Sequence, residues 1–238
     1  MAFLCKKRIM KTLQKGDKKL LNAWAFYDWA NSVYSLVIAS AIFPIFYGAL
    51  FKIKGATSLE IFGTELTSTS LISFITAAAF LLVALISPLL SGIADYIGNK
   101  RIFMKFFCYV GSLSCIGLYW FSLENIYLSL IFYFFGLVGF WASLVFYNSY
   151  LPDIAFAEQQ DKVSAKGYSF GYIGSVILLI INLAMIMKPD FFGITGSEGE
   201  ASIKAMRYSF VMVGIWWIVF SQYTYYYLPK GNKGHKVT

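Results

Sequence analysis

Apolar positions gather into six long blocks along this chain, at 24–51, 68–94, 102–121, 126–151, 167–187 and 205–228, with short polar stretches between them. A helix rises 1.5 Å per residue and needs about 20 mostly apolar residues to cross a ~30 Å hydrocarbon core. Each block therefore predicts one transmembrane helix, and the chain predicts an all-α, multipass bundle of six spans. Three blocks hold no charge. In the others, Asp28, Lys105 and Arg207 lie within a few residues of a span end, where a polar head reaches the interface at modest cost.

Composition agrees with lipid as the solvent. Hydrophobic residues make up 58% of the 238 and charged residues 13%, with mean hydropathy +0.64. The net charge of +8 raises the question of nucleic acid, and the placement of the basic residues decides it. Seven of the 20 Lys and Arg precede Leu20 and most others occupy short loops, which is a topology signal and not a nucleic-acid footprint. Counted by side, fifteen lie with the N-terminus and only Lys52, Lys54, Lys188, Lys204 and Arg207 lie opposite. The positive-inside rule then places both termini in the cytoplasm. The first apolar block is longer than a signal-peptide core, so the first span is expected to persist. Trp24, Trp29, Tyr96 and Tyr225, Tyr226 and Tyr227 suit an interfacial aromatic belt.

The loops are short. Segments 52–67 and 189–200 read as external connectors without a catalytic constellation, and 152–166 as a short interfacial helix. Cys108 and Cys115 are seven apart on one helix, about 10 Å along its axis and beyond disulfide reach. Cys5 is alone in the basic tail and the sole histidine, His235, lies in the other tail. No catalytic array, metal-ligand cluster or cofactor loop is predicted.

The connection between the second and third spans carries the most specific motif: Gly92, Asp95 and Gly98, followed by Lys100 and Arg101. Glycines permit a positive-φ turn and close helix approach, and an acid beside two bases can bond helix ends and release them. This stretch, 92–101, reads as a gating loop and resembles the signature loop of the major facilitator superfamily. Three further motifs narrow the resemblance: Trp24-Ala25-Phe26-Tyr27-Asp28-Trp29-Ala30-Asn31-Ser32, Phe146-Tyr147-Asn148-Ser149-Tyr150-Leu151-Pro152-Asp153, and Gly167-Tyr168-Ser169-Phe170-Gly171-Tyr172-Ile173-Gly174. From about residue 21 to 228 the chain resembles the vacuole effluxer family related to autophagy. That resemblance implies a twelve-span major facilitator fold, whose fungal members are associated with amino-acid export from the vacuole.

The sequence holds six spans, so the resemblance implies one half of such a transporter. The expected organisation is a basic cytoplasmic tail at 1–20, a six-span domain at 21–229 and the start of a basic linker at 230–238. A second six-helix half is expected in the same chain or in another subunit, and a fragment is the favoured reading. A bacterial inner membrane is favoured over a vacuole.

Candidate solute-path residues follow from polarity inside the spans. Asp28 and Asn31 are three apart and share a helix face, which is tolerable in a span only toward protein or a water-filled cavity. Two readings of Asp28 stay open: a site for a coupling proton, a cation or a basic group on the solute, or an interfacial acid tied to Lys18, Lys19 or a helix end. Asn148 ends the fourth span and corresponds to Asn31 in an inverted repeat, so the two are expected either to face one cavity or to bond between helices. Tyr34 and Tyr147 join the candidates, with Tyr27 and Tyr172 as weaker ones. Gly167, Gly171 and Gly174 are read as helix-packing positions. The expected function is secondary active transport of a small solute, amino acids included, by alternating access within membrane lipid. A membrane scaffold and a lipid-modifying enzyme are the alternatives.

Overall fold

The computed structural model describes residues 13–229. Cys5, His235, the tail up to residue 12 and the expected linker at 230–238 lie outside the described residues. Six helices are long and apolar enough to cross a membrane. They are α1 (Lys18–Lys54), α2 (Ser68–Ile97), α3 (Lys100–Trp120), α4 (Ile126–Ser149), α5 (Ala157–Met187) and α6 (Glu198–Tyr227). The protein is an all-α, multipass membrane protein.

Local chemistry sets the helix ends. The Asp17 carboxylate accepts from Lys19 N at 3.1 Å and starts α1, while Thr67 Oγ1 accepts from Ser70 N at 3.2 Å and starts α2. Gly55 and Gly98 end those helices in the left-handed region, at φ 66° and 68°. Inside α1, residues Tyr34–Ile42 widen into a π-helix. Pro44 lies two residues beyond; it has no N–H and in an α-helix its ring would clash with the carbonyl four residues back, at Ser40. The chain answers with five-residue spacing: Phe43 N–H bonds Ile38 O, and Ser40 Oγ donates to Ser35 O at 2.9 Å.

Helix α3 packs on α4 and α6, α1 packs on α5 and α6, and α2 packs on α4. Trp217 of α6 is fully buried at the centre, beside Tyr34 and Phe140. Close approach comes from glycine: a Cβ at Gly139 would run into Gly111, and one at Gly111 would lie 2.5 Å from the Trp217 ring.

One end of the bundle gathers the start of α1, the α2–α3 connection, the α4–α5 connection and the end of α6. Gly16 N–H bonds Ile154 O at 2.8 Å, Lys15 Nζ donates to Pro152 O at 2.6 Å, and Arg101 reaches the last carbonyls of α6. The opposite end carries a small hairpin, β1 (Ser58–Ile61) with β2 (Thr64–Thr67). Phe62 and Gly63 form its two-residue turn, both at positive φ, and Phe62 N–H donates to Tyr127 Oη at 3.3 Å.

The structure corrects several sequence-based expectations. The stretch 152–166 is not a separate interfacial helix: after one turn at Leu151–Ile154, α5 begins at Ala157 and runs unbroken to Met187. Gln159 caps that start by accepting from Phe156 N at 3.1 Å. Connector 52–67 holds the hairpin, and connector 189–200 is cut short by the start of α6, where Glu200 accepts from Ser197 N at 3.2 Å. Two of the supposed belt aromatics are core residues. Trp24 is buried, with its indole N–H donated to Tyr147 O at 2.8 Å, and Tyr225 is buried against Tyr27. Trp29 stacks on Trp216, whereas Tyr96 and Tyr226 are exposed. The Arg207 guanidinium bonds Tyr119 O, at the end of α3, and lies over the Phe46 ring.

Candidate functional site

A cavity of about 420 Å³ opens between α1, α4 and α5. That is within the ~300–1,000 Å³ of small-molecule sites. Polar side chains from α1 form a stripe along it: Asp28, Asn31, Ser32, Ser35 and Ser40. The first four follow the three- and four-residue spacing of one α-helical face. Ser40 is five past Ser35, which α-helical winding would turn about 140° away; the π-helix brings it back toward the cavity. Helix α5 answers with Ser164, Tyr168, Tyr172 and Ser175, and α4 with Phe140, Trp141, Tyr147 and Asn148.

Asp28 is tied to α4. Tyr147 Oη donates to its Oδ2 at 2.9 Å, and Trp24 stacks on the Tyr147 ring with centroids 4.2 Å apart. Among the described residues Asp28 has no ion-pair partner, and the lining contains no Lys, Arg or His. The Lys18 or Lys19 tie considered for Asp28 is absent. Lys166, two residues past Ser164 of the lining, donates to Asn22 Oδ1 at 2.7 Å.

Asn31 is 1% exposed and accepts from Ser32 Oγ at 3.3 Å, but its Nδ2 has no partner. Ser175 is 2% exposed and its Oγ is equally unpartnered. Buried polar atoms left without hydrogen bonds cost roughly 1–3 kcal/mol each. Both residues belong to the cavity wall, with these two atoms turned into the packing behind it.

The sequence candidates divide cleanly. Asp28, Asn31, Tyr147 and Asn148 meet at this cavity, Asn148 at its exposed rim. Tyr34 does not join them. It is 1% exposed, stacked on Phe140 with centroids 4.9 Å apart, with Gly136 making room for its ring. Tyr27 is likewise buried in the core, while Tyr172 does line the cavity. The serines and Trp24 were missed; the spacing Asp28, Asn31, Ser32, Ser35 was the available signal. Gly167, Gly171 and Gly174 bring α5 onto α1: a Cβ at each would lie 2.5 Å from Asp28 Oδ2, 2.6 Å from Ser32 Oγ and 3.0 Å from Trp29.

The 92–101 loop lies apart from the cavity. Gly98 makes the turn, bonding Ala94 O at 2.9 Å, whereas a Cβ at Gly92 would meet nothing within 4 Å, so the close approach expected there is not made among the described residues. Lys100 bridges Asp95 at 3.4 Å and Asp153 at 2.9 Å, and Arg101 donates to Tyr225 O at 3.0 Å and Leu228 O at 2.8 Å. A cation on the final carbonyls of a helix suits the negative end of its dipole. The loop thereby ties α2, α3, the α4–α5 connection and α6 together at one end. Among the described residues no group of three or more His, Cys, Asp or Glu is placed to hold a metal ion.

The model of the family described as vacuole effluxer Atg22 like matches residues 16–238. The chain belongs to that family. It is also similar to the uncharacterized MFS-type transporter YxiO of Bacillus subtilis strain 168, at 34% identity over 209 residues, which cover 88% of this chain and 46% of YxiO. The chain spans about half the length of this curated relative. No solved structure matches it. In this Atg22-like chain, the family's match therefore takes in the cavity helices and the 92–101 loop alike.

Proposed function

We propose that the chain is one six-helix half of a secondary transporter and that the α1–α4–α5 cavity is its share of the solute site. The observation that carries this reading is the polar stripe of Asp28, Asn31, Ser32, Ser35 and Ser40 along the wall of a cavity sized for a small molecule. The Atg22-like membership, the printed name of YxiO as an MFS-type transporter and the half-length match support it.

In this reading a second six-helix half completes the site from the far side, and rocking of the halves exposes it alternately. The Lys100 and Arg101 ties make this half move as one body at the end they clamp. That end faces the cytoplasm, on the distribution of basic residues.

Full-length protein in proteoliposomes tests the proposal. Counterflow is measured with a panel of labelled amines, amino acids and sugars. Saturable counterflow of at least one solute, lost on filling the cavity with Ser175→Trp, is expected. Counterflow that persists at wild-type rate in Ser175→Trp would place the path elsewhere.

A further inference from the structure

We propose that this half of the site recognises an ammonium group on the solute through Asp28; the inference rests on the cavity being the solute site. An ionised carboxylate offers about four acceptor positions, and Tyr147 fills one. Among the described residues no Lys, Arg or His lines the cavity, so no side chain described there pairs with the carboxylate. Inside a membrane domain such a charge is costly unless paired, and a cationic solute supplies the pairing.

The surroundings fit the same chemistry. Tyr168 and Tyr172 line the cavity and are exposed, and aromatic faces attract ammonium groups. The hydroxyls of Ser32, Ser35, Tyr168 and Tyr172 line the same cavity and offer hydrogen bonds to another polar group of the solute. A carboxylate-only solute would find repulsion from Asp28 and no counter-charge on this wall. The class assigned is thus a small organic molecule with a primary ammonium and a compact apolar or aromatic body.

Three probes of similar shape and different charge test this: 2-phenylethylammonium, 2-phenylethanol and 3-phenylpropionate. Each is titrated calorimetrically into full-length protein in phosphatidylcholine nanodiscs at neutral pH. The ammonium probe should bind at least about tenfold tighter than the alcohol, as expected for a charge-assisted pair, and the carboxylate weakest. Asp28→Asn, which still accepts from Tyr147, should erase the tenfold preference and leave the affinity for the alcohol in place. Asp28→Asn combined with Asn31→Asp returns a carboxylate one turn along the same wall and should restore the preference. Equal binding of ammonium and alcohol to the wild type, or a preference that survives Asp28→Asn, would overturn the ammonium assignment and leave the cavity reading standing. Failure of all three probes to bind, while counterflow of another solute is still blocked by Ser175→Trp, would also overturn the assignment alone. Failure of both would remove the cavity reading with it.

Discussion

The Tyr147 hydroxyl donates to Asp28 Oδ2 at 2.9 Å, and Gly167 faces the same oxygen from α5. Three helices thus meet at one carboxylate: α1 supplies it, α4 holds it and α5 leaves space beside it. That meeting half-buries it.

A methyl at Gly167 would lie 2.5 Å from Asp28 Oδ2. Gly167→Ala should displace the carboxylate and weaken binding of an ammonium solute by about tenfold, with insertion retained. Gly171→Leu crowds Ser32 and should destabilise the bundle by about 1–3 kcal/mol. Thermal unfolding in detergent distinguishes the two, since Gly167→Ala should shift the midpoint less.

At the clamped end, Lys100 holds two carboxylates and Asp95 only one lysine. Lys100→Met should therefore reduce transport per inserted molecule more than Asp95→Asn does, because the latter leaves the Asp153 pair intact. Gly98→Leu should match or exceed Lys100→Met, since φ 68° strains any residue with a Cβ. Flux normalised to surface-inserted protein checks the order. Wild-type flux in all three would make the loop a plain connector.

Pro44 fixes the π-helical stretch that turns Ser40 toward the cavity. Pro44→Ala restores an N–H and should let α1 relax toward α-helical winding, carrying Ser40 away. In a background without native cysteines, the labelling rate of Ser40→Cys by a water-soluble thiol reagent should fall about tenfold when Pro44→Ala is added, on the ~100° per residue by which α winding redirects a side chain. An unchanged rate would mean that the wide turn does not depend on this proline.

Much of this was legible from hydropathy alone. All six spans were, because a 20-residue apolar run has few alternatives in water or lipid. Helix ends were less so: α1 begins at Lys18 and α5 at Ala157, since these helices extend beyond the apolar blocks into charged turns that a hydropathy reading assigns to loops. The hairpin at 58–67 was signalled only by a Phe-Gly pair, and Phe62 is an unusual residue for positive φ. Asp28, Asn31, Tyr147 and Asn148 were found because polar groups are rare in spans. Tyr34 and Trp24 were misplaced because an aromatic ring serves core, interface and cavity equally well by composition. The cavity serines were passed over although their spacing matched the Asp28 face.

Orientation has its own check. In the cysteine-free background, an impermeant reagent added outside should label Ser58→Cys and Ser197→Cys and spare Asn99→Cys. Labelling of Asn99→Cys from outside would reverse the assignment.

The cavity between α1, α4 and α5 is tested most directly by Ser35→Cys, an exposed position on its wall. In full-length protein lacking native cysteines, aminoethyl methanethiosulfonate should modify this position and abolish counterflow of whichever panel solute is carried. Ser209→Cys, in the dry core where Ser209 Oγ bonds Ala205 O at 3.1 Å, should stay unmodified. A Ser35→Cys that resists the reagent, or that is fully modified with counterflow intact, would contradict the assignment of the solute path.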